Sequence, residues 1–332
     1  MYKNKKILII GGTGTIGKYL LEELLDYQPE VIRIFSRDEY KQFELQQKLS
    51  YQKNIRYLIG DVRDEKRLER AMEDIDYVFH LAAMKHVSAC EYNPFEAVKT
   101  NIIGTQNVIQ AAINTGVRRV LFTSTDKAIA PTNTYGASKL TAERLISAAD
   151  YQKGPRRTIF SSVRFGNVMG SRGSVIPLFK KQILEEKEIT VTNEKMYRYM
   201  MTPFQAVSLI LKANKLANGG EVFILKMPNI KLNDLVEVIT EELTKKYNIK
   251  QSINIKKIGL RPGEKMYEQL MTEGEALKVL ELDEMYILTP AFGRNEVTIS
   301  DYIGTNDNNI YNTGLEADKE QLREWLLKEK LI

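Results

Sequence analysis

The sequence contains a single cysteine, Cys90, among its 332 residues. One thiol cannot form an internal disulfide bond, which excludes the small secreted scaffolds that depend on such bonds. A chain of this kind is typical of the reducing cytoplasm, so we expect a cytoplasmic location and a purely structural role for Cys90.

Long apolar runs are also missing, since no stretch approaches the ~20 residues that a helix needs to cross a membrane. The basic start of the chain is followed by the apolar segment 7–10, which ends at Gly11. A secretory signal needs an apolar region of about 7–15 residues. The segment is therefore interpreted as a first β-strand, and no membrane association is expected.

A strong excess of one charge is absent as well. The 48 basic and 43 acidic residues leave a net charge of +5, and the basic doublets are scattered along the chain. A nucleic-acid-binding protein gathers basic residues on one surface together with stacking aromatics. We therefore expect no nucleic-acid partner and predict no metal site, while single arginines remain available for small phosphorylated ligands.

The first half of the chain alternates short β-branched apolar runs with helical patterns. The predicted strands cover 6–10, 31–36, 55–59, 77–82, 119–124 and 158–165, and the predicted helices cover 15–26, 39–49, 65–73, 95–115 and 135–149. Continuous apolar strands imply burial on both faces and hence a parallel sheet covered by helices. This pattern predicts an α/β fold with a doubly wound, Rossmann-type sheet and ligands beyond the carboxyl ends of its strands.

A glycine-rich turn follows the first predicted strand and opens the first helix. It has the sequence Gly11-Gly-Thr-Gly-Thr-Ile-Gly17. Glycines let the backbone approach a pyrophosphate, whose charge then meets the helix N-terminus. We predict that Gly11, Gly14, Thr15, Ile16 and Gly17 bind a dinucleotide.

The end of the second predicted strand distinguishes NADP from NAD. It reads Phe35-Ser-Arg-Asp38, with Lys41 in the following helix. Ser36, Arg37 and Lys41 can bind a 2′-phosphate, which favours NADP and makes NAD the less favoured cofactor. Asp38 argues for NAD, because an acidic residue there binds ribose hydroxyls, unless it only caps the next helix. Beyond the third strand, Asp61 and Val62 are predicted at the adenine, with Asp61 as a loop or capping residue the alternative.

Polar residues of the kinds found in catalytic sites follow the fifth predicted strand. Thr125 follows that strand, and Tyr135 and Lys139 lie four residues apart on one face of the next helix. A tyrosine with a pKa of about 10 is a poor base at neutral pH, but a neighbouring ammonium and a positive nicotinamide ring both favour its phenolate. We predict that Tyr135 accepts the proton of a sugar hydroxyl that Thr125 orients.

These motifs resemble the extended short-chain dehydrogenases/reductases. The resemblance rests on the glycine turn, His80-Leu-Ala-Ala83, Thr100-Asn-Ile-Ile-Gly-Thr105 and the Tyr135–Lys139 spacing. Four further segments resemble the UDP-N-acetylglucosamine 4,6-dehydratases, soluble enzymes that begin pathways to pseudaminic acid and related bacterial surface glycans. They are Ala83-Met-Lys-His-Val87, Ser124-Thr-Asp-Lys-Ala128, Gly166-Asn-Val-Met-Gly-Ser-Arg-Gly-Ser-Val175 and Arg261-Pro-Gly-Glu-Lys265.

The resemblance implies a reaction and roles for two further residues. C4 of UDP-N-acetylglucosamine or a close UDP-sugar is oxidised, water is lost across C5 and C6, and the hydride returns to C6. Asp126 is expected to be the acid for the C6 hydroxyl and Lys127 the C5 base, which requires a lowered lysine pKa. Members with a tyrosine at the position of Tyr135 typically invert C5, so inversion is expected.

The resemblance also implies binding residues and assembly. The cofactor site is expected to include Ala82, Ala83, Lys85, Asn101 and Phe165 as well as Tyr135 and Lys139. The substrate site is expected to include Lys85, His86, Asn167, Ser174, Val175, Pro177, Arg198, Arg261 and Glu264, with the two arginines on the diphosphate and Glu264 on the UDP ribose. Similar enzymes form dimers through the helices 95–115 and 135–149, or hexamers, so a homo-oligomer is expected. The residues around Arg198 depart from the pattern of the family.

The second half of the chain predicts a smaller lobe interleaved with the first. Residues 1–166 are assigned to the NADP-binding domain, to which 203–226 is expected to return, and 167–202 and 227–332 to the UDP-sugar-binding domain. Predicted helices cover 175–187, 203–218, 232–245, 264–270 and 317–328, and predicted strands cover 189–191 and 221–225. The tail 299–332 indicates no function.

Three alternatives remain open. The first is a 4,6-dehydratase that retains the C5 configuration, and the second is a UDP-sugar 4-epimerase or 4-reductase, against which Asp126 and Lys127 argue. The third is a non-catalytic NADP-sensing protein, which would not need the complete set of Thr125, Asp126, Lys127, Tyr135 and Lys139.

Overall fold

A computed structural model describes residues 1–290 and 316–332 of the chain. Its strands are β1 Lys6–Ile10, β2 Val31–Ser36, β3 Ile55–Ile59, β4 Tyr77–His80, β5 Arg119–Thr123, β6 Ile159–Arg164, β7 Asn167–Val168, β8 Glu188–Val191, β9 Tyr197–Met201, β10 Val222–Leu225, β11 Asn229–Lys231, β12 Asn254–Lys257, β13 Val279–Glu281 and β14 Met285–Leu288. Its helices are α1 Thr15–Asp26, α2 Glu39–Lys48, α3 Glu65–Met72, α4 Val87–Tyr92, α5 Pro94–Ala97, α6 Gly104–Thr115, α7 Thr134–Gln152, α8 Val175–Lys181, α9 Pro203–Leu216, α10 Leu232–Lys246, α11 Glu273–Ala276 and α12 Lys319–Lys328. Among these described residues, no helix combines the length and the apolar character needed to cross a membrane.

One large sheet organises the first lobe, with the strand order β13-β14-β10-β6-β5-β4-β1-β2-β3. Strands β1 to β6 and β10 are all parallel, whereas β14 is antiparallel to both β10 and β13. The predicted doubly wound parallel sheet is confirmed. Strand β10 and helix α9, which packs on α1, belong to this lobe.

The assignment of all of 227–332 to the second lobe is wrong in one segment. Strands β13 and β14 extend the large sheet beyond β10. The buried residues Met285 and Ile287 pack into the core beneath it. A short antiparallel hairpin at a sheet edge carries no βα alternation, so the sequence pattern does not distinguish it from a strand of the smaller lobe.

Helices cover both faces of the large sheet. Leu20, Leu21 and Leu24 of α1 and Ile210 of α9 are fully buried on one face. Residues of α3, α6 and α7 form the core on the other face. Burial on both faces explains the unbroken apolar sequence of the central strands.

The smaller lobe has its own core. It contains the three strands β11-β9-β7, the parallel pair β12-β8, and the helices α8, α10 and α12. Leu235 of α10 and Leu322 and Leu326 of α12 are fully buried there. The Asp318 carboxylate accepts a hydrogen bond from the Gln321 N–H and fixes the start of α12. Part of the C-terminal tail is thereby integrated into the second lobe, and the rest of 299–332 up to residue 315 lies outside the described residues.

Two predicted helices differ from the structure. Residues 264–270 form bends and irregular backbone instead of a helix, because the carbonyls of Lys265 and Met266 accept hydrogen bonds from the Arg198 guanidinium. The helix predicted over 95–115 is continuous only through a π-helical segment, Val98–Ile103, between α5 and α6. Such π-helical insertions often occur at functional sites.

Candidate active site

A cleft of about 1150 Å³ lies beyond the carboxyl ends of the parallel strands. Twenty of the predicted site residues line it, namely Gly11, Gly14, Thr15, Ile16, Gly17, Ser36, Arg37, Lys41, Val62, Ala82, Ala83, Lys85, His86, Thr125, Lys127, Tyr135, Lys139, Phe165, Asn167 and Ser174. The lining does not include Asp61, Asn101, Asp126, Val175, Pro177, Arg198, Arg261 and Glu264. The cleft therefore joins the glycine turn to the catalytic-type cluster, whereas the predicted diphosphate arginines lie apart from it.

The glycine turn has the geometry of a phosphate cradle. Gly11 has a φ of +84°, and a Cβ there would lie 2.9 Å from the main-chain nitrogen of Ala82. A Cβ on Gly17 would lie 2.6 Å from the Gly12 Cα atom. Gly14 stands at the N-cap of α1, so the free N–H groups of that helix face the cleft. These residues fit a dinucleotide pyrophosphate.

Side chains at the end of β2 are already engaged with one another. The Asp38 carboxylate caps α2 by accepting a hydrogen bond from the Lys41 main-chain N–H, and it also pairs with the Lys41 ammonium. The helix-capping interpretation of Asp38 is thus confirmed. The Gln42 amide donates to the Ser36 Oγ atom at 3.0 Å. Arg37 lies exposed at the rim, 3.8 Å from Asp61.

Asp61 is held away from the cleft. Its carboxylate accepts hydrogen bonds from the Arg63 side chain at 2.7 and 3.0 Å and from the Arg63 main-chain N–H at 3.0 Å. This is the loop role weighed as the alternative to adenine binding. Val62 beside it does line the cleft.

The predicted catalytic cluster is assembled from two segments. Thr125 precedes a single 3₁₀ turn, Asp126–Ala128, and Tyr135 lies in the first turn of α7. The Thr125 hydroxyl donates to Asp126 Oδ1 at 2.9 Å and shares a hydrogen bond with the Tyr135 phenol. Asp126 is fully buried and Lys127 is largely so, and therefore neither side chain points into bulk solvent.

The pKa of Tyr135 moves opposite to the expectation. Burial raises the pKa of the phenol to about 12, against the lowering effects of Thr125 and Lys127. Burial also lowers the pKa of Lys139 to about 7, and its Nζ atom donates to the Thr123 carbonyl at 2.5 Å. The ammonium expected at Lys139 is therefore only partly present at neutral pH, and the positive charge of Lys127 does not offset the effect of burial on the Tyr135 phenol.

The pKa of Lys127 also differs from the expected lowering. Burial acts to lower it, but the carboxylates of Asp126 and Glu268 outweigh that effect and raise it. The Lys127 Nζ atom lies 3.0 Å from Asp126 Oδ1 and 3.6 Å from Glu268 Oε1. Glu268 was not predicted as a site residue, because it lies far along the chain in a segment predicted as a helix.

Asn101 acts as a scaffold beneath the cleft. Its side chain accepts a hydrogen bond from the Met84 N–H at 2.8 Å and donates to the Met84 carbonyl and to Ser138 Oγ. The residue is buried within the π-helical segment. Asn101 thus ties the loop after β4 to helix α7, instead of lining the cofactor cleft as predicted.

The predicted diphosphate residues form a network of their own. The Arg198 guanidinium donates to three carbonyls, those of Tyr197, Lys265 and Met266, and lies 3.7 Å from Glu264. The main-chain N–H of Arg261 donates to Glu264 Oε2 at 3.1 Å. Arg198 and Glu264 therefore anchor the loop after β12 to β9. Of the three predicted residues Arg198, Arg261 and Glu264, Arg261 alone is exposed.

A residue missed by the sequence reasoning links the two lobes. The Arg172 guanidinium donates to the Thr13 carbonyl at 2.8 Å, and the Arg172 main-chain N–H donates to Thr15 Oγ1 at 3.2 Å. Arg172 lines the cleft and lies within the segment 166–175 that carried the resemblance. In the sequence, an arginine close to two glycines, Gly170 and Gly173, was the signal that could have indicated this role. Val175 and Pro177 lie one turn further, in α8.

Comparison with known proteins identifies several relatives. A family model described as polysaccharide biosynthesis protein matches residues 7–290. A protein of Methanocaldococcus jannaschii described as an uncharacterized membrane protein is 53% identical over 290 residues, covering 87% of either chain. The inverting UDP-N-acetylglucosamine 4,6-dehydratase of Campylobacter jejuni is 43% identical over 293 residues, covering 88% of this chain and 84% of the relative. A UDP-glucose 4-epimerase of Rickettsia rickettsii is 41% identical over 299 residues, covering 89% of this chain and 85% of the relative.

Among solved structures, Pen from Bacillus thuringiensis has a TM-score of 0.89 at 56% sequence identity. The match covers 98% of this chain and 99% of that one. The similarity therefore extends over both lobes.

Proposed function

We propose that this chain is a UDP-N-acetylglucosamine 4,6-dehydratase. The chain belongs to the polysaccharide biosynthesis protein family, and with it to the extended short-chain dehydrogenases/reductases that are related to these dehydratases. The observation that carries the proposal is the cluster of Thr125, Asp126 and Lys127, turned inward beside Tyr135 at the cofactor cleft. A dehydratase needs an acid and a base in addition to the tyrosine, and this cluster supplies both.

The cofactor proposed for the cleft is NADP, with NAD as the alternative. The glycine cradle and the N-terminus of α1 fit a pyrophosphate. Asp38 is engaged with Lys41 and with the start of α2, and Ser36 and Arg37 in the cleft lining are the residues that would bind a 2′-phosphate. When bound, the oxidised nicotinamide ring would supply a hydride acceptor for sugar C4 and a positive charge beside Tyr135.

The reaction requires four proton transfers, and protein groups are assigned to the first three. Tyr135 accepts the proton of the C4 hydroxyl while Thr125 orients that hydroxyl. Lys127 then removes the C5 proton, made acidic by the new C4 carbonyl, and Asp126 gives a proton to the C6 oxygen, which leaves as water. C6 then receives the hydride that was taken from C4 while C5 regains a proton, with inversion at C5 proposed from the tyrosine at position 135.

The substrate proposed is UDP-N-acetylglucosamine, with a close UDP-sugar as the broader class. Asn167 and Ser174 line the cleft beside the catalytic-type cluster, and Lys85 and His86 face them from the loop after β4. The His86 ring packs so closely on Gly173 that a Cβ there would lie 2.3 Å from its Cε1 atom. Of the two arginines predicted at the diphosphate, Arg261 is the exposed one, whereas Arg198 would have to exchange its carbonyl partners to reach a diphosphate.

The proposal is tested by incubating the chain with UDP-N-acetylglucosamine and NADP. A product lighter by one water, with a 4-keto group and a 6-methyl group in its proton NMR spectrum, is the expected result. The coupling pattern of the same spectrum reports the configuration at C5. A product of unchanged mass would overturn the dehydratase assignment.

The second candidate is a UDP-sugar 4-epimerase, which the Rickettsia relative supports. Such an enzyme oxidises and reduces C4 and has no step for a C5 base or a C6 acid. An isomer of unchanged mass formed from UDP-glucose, together with full activity in a Lys127→Met variant, would favour it.

We also propose a homo-oligomer in the cytoplasm that serves bacterial surface glycan synthesis, such as a pseudaminic acid pathway. Tyr92, Phe95 and Ile103 are exposed hydrophobic residues on or next to the helices expected at a dimer interface. The lack of any disulfide-forming pair supports the cytoplasmic location.

A further inference from the structure

Lys127 lies between two buried carboxylates from distant parts of the chain. Its Nζ atom is 3.0 Å from Asp126 Oδ1 and 3.6 Å from Glu268 Oε1. The Asp126 side chain is fully buried, and only 4% of the Glu268 side chain is exposed. Burial of two acids beside one amine is costly unless protons are shared among them.

The position of Glu268 is fixed by its own segment. The Lys265 ammonium donates to the carbonyls of Ile129 and Ala130 at 2.8 and 2.7 Å, directly after the 3₁₀ turn that carries Lys127. Arg198 donates to the carbonyls of Lys265 and Met266. Two cations thereby hold the irregular loop 265–268 against the catalytic turn, which explains why this segment is not a helix.

Each carboxylate also keeps one oxygen without a partner. Within the described part of the chain, neither Asp126 Oδ2 nor Glu268 Oε2 has a hydrogen-bond partner, although both atoms are buried. A buried carboxylate oxygen without a donor favours the protonated form of its group. The cluster is therefore built to carry fewer charges than its three ionisable groups allow.

We propose that Glu268 is a positioning residue that holds Lys127 beside Asp126 and determines which of the three groups carries the shared protons. The inference rests on the dehydratase function proposed above and deepens it. It assigns a role to a residue outside the Thr-Asp-Lys turn.

The role of Glu268 follows from the number of protons that Asp126, Lys127 and Glu268 share. When Glu268 is ionised, two carboxylates hold the ammonium on Lys127, and Lys127 cannot act as a base. When Glu268 is protonated, one proton remains to be shared between Asp126 and Lys127. Moving it from Lys127 to Asp126 changes no net charge and produces the neutral amine and the carboxylic acid that the dehydration step needs.

Several other groups face the cluster. The positive charges of Arg198 on β9 and Lys265 on the loop favour the ionised form of Glu268. Tyr135 on α7 contributes to the electrostatic field at Lys127. Tyr199 on β9 faces Asp126. Burial outweighs the cations and raises the pKa of Glu268, which is the direction that a proton held on this carboxyl requires. These groups stay in place in a Glu268 variant, so its effect can be assigned to the carboxylate.

The test compares pH profiles of dehydration for the wild-type chain, Glu268→Gln and Glu268→Asp, each with UDP-N-acetylglucosamine and NADP. Glutamine cannot ionise, so the state in which two carboxylates hold the ammonium on Lys127 no longer forms as pH rises. In Glu268→Gln, the limb of kcat that falls with rising pH is therefore expected to shift to higher pH. The plateau of kcat is expected to fall on the order of 10- to 100-fold because Lys127 loses its second anchor, while KM changes little.

Glu268→Asp keeps the carboxyl group but shortens the side chain by one methylene. The shifted limb of its kcat profile is therefore expected to lie between those of the wild-type chain and Glu268→Gln. Glu273→Gln is the matched control, because this exposed glutamate on α11 lies nearby in sequence and its variant should reproduce the wild-type profile. Deuterium exchange at C5 of the purified 4-keto product is the second readout, since it reports on Lys127 without the oxidation step.

The outcomes separate the two claims. Profiles of Glu268→Gln and wild type that superimpose would overturn the role of Glu268 while leaving the dehydratase function intact. If Glu268→Gln does not fold, a Glu268→Asp profile equal to that of wild type overturns it in the same way. A wild-type chain that forms no dehydrated product contradicts both claims.

Discussion

At the residue scale, the behaviour of the site follows from which buried charges are balanced. Asp126, Lys127 and Glu268 balance one another, whereas Lys139 has a carbonyl at 2.5 Å and the Phe122 ring at 3.8 Å from its Nζ atom. Glu143 raises the pKa of Lys139 less than burial lowers it. The two lysines of the site therefore have opposite pKa shifts.

Lys139 gives a pH-dependent contribution to stability. Its pKa is about 7 in the folded chain, against the ordinary lysine value of 10.5. Between these values the unfolded chain binds more protons, so the contribution of Lys139 to folding becomes more favourable as pH rises. Urea unfolding without nucleotide at pH 7 and pH 9.5 should show wild type gaining stability relative to Lys139→Met. An equal difference between the two chains at both pH values would contradict the lowered pKa.

Gly17 should be intolerant of a side chain. In Gly17→Ala the new Cβ would lie 2.6 Å from the Gly12 Cα atom, so the phosphate turn must open. NADP affinity measured by calorimetry is expected to fall at least about tenfold, equivalent to ~1.4 kcal/mol. Gly274→Ala is the control, because a Cβ there meets no atom within 4 Å. An unchanged dissociation constant in Gly17→Ala would show that the turn does not bind the cofactor.

At the element scale, one arginine joins three elements around the catalytic helix. Arg164 of β6 is fully buried, donates to Glu143 of α7 at 2.6 Å, and donates to Glu275 of α11 at 2.9 Å. It also donates to the Leu270 carbonyl at 3.0 Å. This network fixes the orientation of α7, which carries Tyr135 and Lys139.

Arg164→Met should therefore be strongly destabilising. It leaves the Glu143 and Glu275 carboxylates without their main cation, which costs about 3–5 kcal/mol for a buried pair. Arg118→Met removes a surface ion pair with Asp76, in which the arginine is 63% exposed, and should cost at most ~1 kcal/mol. Urea unfolding of both variants measures the contrast. Equal losses would mean that the buried network contributes no more than a surface pair.

At the scale of the whole molecule, the exposed apolar residues before α6 indicate where a second copy would bind. Phe95 is 64% exposed and Tyr92 is 87% exposed. Phe95→Asp is expected to convert the proposed oligomer into smaller species in light scattering coupled to size exclusion, because a charge is costly in an apolar interface. Tyr40→Asp changes a comparably exposed aromatic on α2 and should leave the mass unchanged. A Phe95→Asp chain of wild-type mass would place the interface elsewhere.

The sequence predicts the local features well because their signals are local. The glycine turn, the Asp38 cap and the Tyr135–Lys139 spacing each depend on a few neighbouring residues. Contacts between distant segments leave no such signal. Glu268 reaches Lys127 through a loop that Arg198 keeps out of a helical conformation, and the direction of the Lys127 pKa shift depends on that contact. The edge strands β13 and β14 escaped prediction for the same reason.

The central claim is that Asp126 and Lys127 remove water from a sugar after its C4 has been oxidised beside Tyr135. Mass spectrometry of the product formed from UDP-N-acetylglucosamine in deuterated water tests it most directly. The account predicts the loss of one water and the gain of one carbon-bound deuterium at C5, because the C5 proton passes through an exchangeable amine. A product that keeps the substrate's mass and carries no deuterium on carbon would contradict it.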